Sequence, residues 1–153
     1  MKSLALFVLA VAAAATIGSR FRPGQWYEAL QKPAWTPPDW LFGPVWTALY
    51  IAIAVAGWLV WRRSEGRFSA ALALWGAQLA LNTAWSWLFF GLHRPGLAMV
   101  DIVALWIAIV GFAVAAWPLR RLAAALFMPY ALWVGYAAAL NFSIWRANPG
   151  IPG

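Results

Sequence analysis

Apolar residues run along this chain in long blocks, broken by short polar clusters rich in glycine, proline and arginine. A helix crosses a bilayer with about 20 apolar residues, within a range of roughly 17–25. Five blocks have the required length and character: residues 3–19, 44–61, 69–92, 96–117 and 122–145. The second begins at Phe42 or Pro44. The pattern predicts an all-α integral membrane protein, a bundle of five transmembrane helices forming a single domain over residues 1–153. The breaks RRSEGR, HRPG and WPLRR carry turn signals. Because they are short, helices two to five must be near neighbours in an up-and-down arrangement. The first block has a rival reading. Lys2, a short apolar run and the small residues of AAAATIGS are also marks of a secretory signal peptide, whose removal would leave four helices.

One connection is long, residues 20–43 between the first and second helices. Its WYEAL segment predicts a short interfacial helical turn. The stretch that follows, QKPAWTPPDWLFGPVW, holds four prolines and three tryptophans in sixteen positions. Proline lacks an N–H and fixes φ, so this sequence predicts a rigid non-helical lid from Gln31 to Trp40 without orphan donors. Trp35 and Trp40 are expected at the membrane interface, whereas Trp46 has entered the second helix and faces inward.

Composition sharpens the membrane reading. The chain is 65% hydrophobic and 10% charged, against about 25% charged for a soluble domain. The formal charge of +7 does not indicate nucleic acid, because the arginines cluster at the ends of apolar runs, where they anchor spans to headgroups. Six cations fall on one side and five on the other, a bias too small to orient the bundle. Cysteine is absent, His93 stands alone and acidic residues number four, which argues against thiolate, multi-histidine and carboxylate-rich metal sites. No metal and no resident cofactor are expected.

Chemistry concentrates on three helical faces. Gln78, Asn82, Trp85 and Phe89 follow one another at spacings of four, three and four, and so share a face. Amides in hydrocarbon need partners, so this face points into the bundle, either as interhelical glue or as a ligand wall. The fifth helix presents Trp133, Ala137, Leu140 and Ile144 with Asn141 beside them, and the second presents Trp46, Tyr50, Ile53 and Gly57. Turned inward, the three faces enclose a slot walled by aromatic rings and closed by an amide. Trp61, Trp117 and Trp145 sit at span ends as interface-belt residues. Asp101, one turn into the fourth helix, is expected to offset the helix N-terminus and pair with Arg94. Ala73, Ala77 and Ala80 approach a small-xxx-small seam of the kind that serves dimers.

The segments WYEALQKPAWTPP, FGPVWTALY, QLALNTAWSWLFFG and PYALWVGYAAALNFSIWR, in this order and spacing, resemble the translocator protein family of peripheral benzodiazepine receptors and bacterial tryptophan-rich sensory proteins. IGSRF at the end of the first block fits the same pattern and favours keeping that helix. The resemblance implies a five-helix bundle, often dimeric, whose internal pocket binds porphyrins and, in animal members, cholesterol, with the first loop closing over it. Carried over by motif position, the lining residues are Tyr27, Pro37, Pro38, Trp46, Asn82, Trp85, Ser86, Trp133, Ala137 and Leu140. The animal cholesterol motif has a tyrosine where Phe142 stands, so cholesterol is not implied here. The family also implies a location in a bacterial membrane, inner or outer, or in the mitochondrial outer membrane.

The function expected is a membrane receptor or carrier for protoporphyrin-type tetrapyrroles, with the porphyrin as ligand rather than cofactor. Aromatic walls suit a flat apolar disc, and Arg20, Arg22 and Lys32 are candidates for its acidic groups. With no histidine in a span, axial ligation of haem iron by histidine is not expected. Two alternatives stay open. One is a light- and oxygen-dependent porphyrin-degrading catalyst that uses Trp46 and Trp133; the other is a stress- or oxygen-sensing regulator.

Overall fold

The computed structural model describes residues 2–153. Among them the secondary structure is entirely helical: α1 (Lys2–Gly18), α2 (Gln25–Ala29), α3 (Asp39–Arg63), α4 (Ala70–Ser86), α5 (Pro95–Ala116), α6 (Arg121–Leu126) and α7 (Met128–Ala147). A π-helical turn, Trp87–Gly91, continues α4. With α6 and α7 taken as one kinked span, three helices are long and apolar enough to cross a membrane: Asp39–Arg63, Pro95–Ala116 and Arg121–Ala147. α1 is apolar but shorter, at 17 residues. The short α2 is the turn that WYEAL predicts, so the bundle has six helical units where five spans were expected.

Several ends follow from sequence. Ser69 caps α4, its hydroxyl accepting from the Leu72 N–H at 3.3 Å. Pro95 opens α5, where its missing N–H costs nothing. Two boundaries differ from expectation. α3 starts at Asp39 instead of Phe42 or Pro44, because Pro38 presets the entry and an acidic residue in the first turn favours the helix dipole. The bond Pro44 cannot make falls near this exposed end and is tolerated there. The non-helical stretch expected from Gln31 to Trp40 therefore ends at Pro38, and Trp40, 72% exposed, belongs to α3. The expected fifth span breaks at Phe127, since Pro129 has no N–H for the carbonyl of Ala125.

Between lipid tails and apolar side chains there is little hydrophobic contrast, so packing and internal hydrogen bonds hold such helices together. α5 is central, packed on α4 and α7, while α1 bridges α3 and α4. α3 packs against α6 at one end of the bundle but makes no comparable contact with α7. At the close end the two elements bury small residues alongside Val60: Ala56 on α3, and Ala123 and Ala124 on α6. At the other end the two limbs carry Trp46, Tyr50 and Trp133, which are only partly buried. This contrast in side-chain size makes the bundle a wedge, open toward the connection between α1 and α3.

Gly57 shows how tight the closed half is. A Cβ at this position would lie 2.5 Å from Trp75 Nε1 and 2.8 Å from the Phe7 ring. Trp75 Nε1 uses that space to donate to the Ile53 carbonyl at 2.8 Å. Gly57→Ala is therefore expected to displace the indole and to lower stability in detergent by about 2 kcal/mol, read as thermal unfolding. A variant as stable as the parent would contradict this packing.

Candidate functional site

The open half of the wedge is a cavity of about 540 Å³, within the range of roughly 300–1,000 Å³ usual for small-molecule sites. α3 contributes Trp46 and Tyr50, α4 contributes Asn82, Trp85 and Ser86, and α7 contributes Trp133 and Ala137. Tyr27 comes from α2, and Phe90 from the π turn. Of the residues expected at the site, Tyr27, Trp46, Asn82, Trp85, Ser86, Trp133 and Ala137 are thus brought together. Pro37, Pro38 and Leu140 stand elsewhere. Pro38 is the N-cap of α3, with Pro37 before it in the loop. Leu140 lies behind the wall, buried in a cluster with Tyr27, Leu30 and Phe89.

The cavity rests on a chain of hydrogen bonds that links α4 to α7. The Tyr130 hydroxyl donates to Gln78 Oε1 at 2.8 Å and accepts from Asn82 Nδ2 at 2.8 Å. Gln78 Nε2 donates to the Trp75 carbonyl, and the Tyr50 hydroxyl reaches Asn82 Oδ1 at a long 3.5 Å. Gln78 and Tyr130 are fully buried, so the glue reading holds for Gln78 while Asn82 also meets the cavity. Tyr130 is the member that the face analysis missed. Two amides in a span require partners, and a tyrosine among the aromatics of the fifth span was the available signal.

Trp85 is also held. Its indole Nε1 donates to Asn141 Oδ1 at 2.9 Å, and Asn141 Nδ2 donates to the Pro95 carbonyl at 2.8 Å. Phe89 stacks on the Trp85 ring at 5.0 Å. The π turn brings Phe89 and Phe90 to Tyr27, with ring centroids 6.4 and 5.6 Å away. A π turn at such a place is a frequent mark of functional sites. Burial first, and then the nearby Asp39 carboxylate and Tyr136, push the Tyr27 hydroxyl above its ordinary value. Tyr27 therefore meets the cavity uncharged, and the stability its neutral form contributes is present below about pH 10 and lost only above that.

The charged groups on the wall are Arg22 and Asp39, both at the loop end. Lys32, expected at the mouth, is otherwise engaged: its ammonium donates to the carbonyls of Tyr27, Glu28 and Leu30 and lies 4.6 Å from the Tyr27 ring. It closes the C-terminus of α2. Arg20 is not part of the wall either. Asp101 and Arg94 do not pair as expected. Arg94 Nε donates to the Gly153 carbonyl at 2.9 Å, and Asp101 Oδ2 has no hydrogen-bond partner among the described residues. α1, the turn after it and α5 supply wall residues that the sequence did not mark, including Gly18, Ser19, Ile102 and Leu105. Such small and aliphatic positions look the same whether they face a cavity, a neighbour or lipid.

The segment before α3 is tied to α7 at two points. Gln31 N–H donates to Asn148 Oδ1 at 3.0 Å, and Asn148 Nδ2 donates back to the Gln31 carbonyl at 2.9 Å. Farther on, the Tyr136 hydroxyl donates to the Trp35 carbonyl, with the two rings 5.5 Å apart.

These features define a helical membrane protein with an internal aromatic cavity and a loop tethered to its last helix. A model of the TspO/MBR family matches residues 5–146. The chain is 42% identical over 148 residues to "Protein CrtK" of Rhodobacter capsulatus, covering 95% of this chain and 92% of that protein. It is 41% identical over 150 residues to the "Translocator protein" of Homo sapiens, covering 94% and 89%. A "Tryptophan-rich protein TspO" of Chlorobaculum tepidum is 42% identical over 154 residues, covering 96% of each. The chain belongs to the TspO/MBR family.

The two-point clasp yields an expected outcome. Asn148→Ala removes the acceptor of the Gln31 amide, and hydrogen exchange at that amide should accelerate by roughly tenfold or more as the segment opens locally. Unchanged protection would show that the clasp does not hold the segment closed.

Proposed function

We propose that this protein is a five-span membrane receptor or carrier that binds protoporphyrin-type tetrapyrroles in the cavity between α3, α4 and α7. The five spans are α1, α3, α4 with its π turn, α5 and the α6–α7 limb, each within reach of a hydrocarbon core of about 30 Å. The observation that carries the reading is the convergence of Trp46, Trp85 and Trp133 from three different helices on one cavity. A flat apolar disc is held by stacking and edge contacts with such rings. Arg22 at the mouth is the group suited to an acidic substituent, and Asn82 and Ser86 offer hydrogen bonds deeper in. The loop from Gln31 to Pro38, clasped to α7, serves as the cover. The names of relatives, "Translocator protein" and "Tryptophan-rich sensory protein", are compatible with a carrier and with a sensor.

Ala73, Ala77 and Ala80 lie on an exposed face of α4, clear of the cavity. This is the face proposed to pair two copies, since small residues allow close backbone approach.

The test is a fluorescence-quenching titration with protoporphyrin. Trp133→Ala is expected to weaken binding by more than ~1 kcal/mol, the scale of a lost aromatic contact, whereas Trp117→Ala at the far end leaves it near the parent value. Equal affinity in parent and Trp133→Ala would sink the assignment.

A second reading is favoured by one observation: Trp46 and Trp133 both stand on the cavity wall, where a light-excited porphyrin and dioxygen would meet them. In that reading the two indoles react during porphyrin breakdown. Under illumination, Trp46→Phe and Trp133→Phe should each slow the loss of porphyrin absorption. Decay at the parent rate in both variants would leave the protein as a binder only.

A further inference from the structure

The end of the bundle away from the cavity gathers arginines. Arg62 and Arg63 close α3, Arg120 precedes α6 and Arg121 opens it. Because α3 and α6 pack closely, these side chains are brought to one place. Arg62, Arg63 and Arg120 line a recess of about 240 Å³ whose remaining wall is Leu59. No carboxylate is among the lining residues. Three guanidinium groups around one small recess repel each other, and an oxyanion placed between them adds an attraction to each that offsets this repulsion. The guanidinium fork matches phosphate oxygens in pairs.

The recess does not stand alone. Arg120 also lines a neighbouring hollow of about 500 Å³ formed by Trp117–Leu122. Trp117 in turn lines an apolar groove of about 810 Å³ between α5 and the α6–α7 limb. The shared residues set the recess, the hollow and the groove side by side along one path. Val114, Met128 and Leu132 on the groove are all exposed, so it opens outward, toward lipid. Along α5 from Trp106 to Trp117 it runs roughly 16 Å, about one leaflet of a ~30 Å hydrocarbon core. Gly135 leaves the groove open beneath Trp106, whose indole Nε1 is fixed by the Ala131 carbonyl at 3.1 Å. Arg62 lies 5.1 Å from the Trp58 ring and Arg121 lies 5.4 Å from the Trp117 ring, which keeps the cations at the depth of interfacial tryptophans.

We propose that this path binds one anionic glycerophospholipid, with its headgroup phosphate held by Arg62, Arg63 and Arg120 and an acyl chain lying in the groove between α5 and the α6–α7 limb. A free phosphate ion uses only the recess. The groove, sized for one leaflet and set one hollow away from the recess, selects the lipid.

The experiment is native mass spectrometry of the purified full chain in detergent, titrated with phosphatidylglycerol and with phosphatidylcholine. The parent is expected to retain phosphatidylglycerol roughly tenfold better, the scale set by a few arginines near an anionic headgroup. In the triple variant Arg62→Gln, Arg63→Gln, Arg120→Gln that preference should vanish, with near-ultraviolet circular dichroism of the tryptophans checking the fold. If the triple variant does not fold, Arg120→Gln alone and the parent at rising salt read the same preference, which should fall in both. Gly135→Leu should weaken retention of both lipids alike, because it fills the groove and leaves the recess intact. The proposal is overturned by equal retention of the two lipids, or by a preference that survives removal of the arginines. It is also overturned if millimolar inorganic phosphate alone displaces the lipid, which would make the recess a phosphate-ion site. It fails too if Gly135→Leu changes the oligomeric state but not lipid retention, which would assign the groove to a second copy of the chain.

Discussion

The Tyr130 hydroxyl is the point on which the cavity depends. It sits where α4 meets α7, donates to Gln78 and accepts from Asn82, and is fully buried. In a membrane interior no water compensates a missing partner, so each of these groups requires the other two. The constraint sets the register of α4 against α7. Once that register is set, Trp85 and Ser86 on one helix and Trp133 and Ala137 on the other reach the same space. Asn141 repeats the principle one layer away, tying Trp85 to the start of α5.

Around this fixed base the shape of the bundle follows from side-chain size. Alanines on α3 and α6 bring one end together, and tryptophan and tyrosine keep the other end apart. The same wedge accounts for both hollows of interest. Its open end is the aromatic cavity, and its closed end crowds Arg62, Arg63 and Arg120 around one recess. The aromatic cavity at one end and the arginine-lined recess at the other are thus two results of one packing gradient. The loop before α3 is held by the Asn148 side-chain amide and the Tyr136 hydroxyl. Such ties can break singly without cost to the core.

Much of the site was legible in the chain because polar and aromatic residues in an apolar helix have few reasons to be there. The four-three-four spacing of Gln78, Asn82, Trp85 and Phe89 marked an inward face, and the tryptophans at positions 46 and 133 marked two more. What escaped was of two kinds. Wall positions such as Gly18 and Leu105 carry no chemical mark, since small and aliphatic residues serve lipid, neighbour and cavity alike. The loop prolines carry a strong mark but an ambiguous one: Pro38 starts a helix where a cover residue was expected, and Lys32 caps α2 where a ligand contact was expected.

The sequence by itself determined the membrane class, the order and approximate limits of the long helices, and which faces bear amides and indoles, because these follow from residue type and periodicity within one segment. Only the tertiary structure decided that Tyr130 completes the amide pair, that Arg94 turns away from Asp101, that α3 and α7 diverge, and that arginines fifty-seven or more positions apart meet at one recess. Those outcomes depend on distances between segments remote in the chain, and such distances are set by the volumes of the side chains between them.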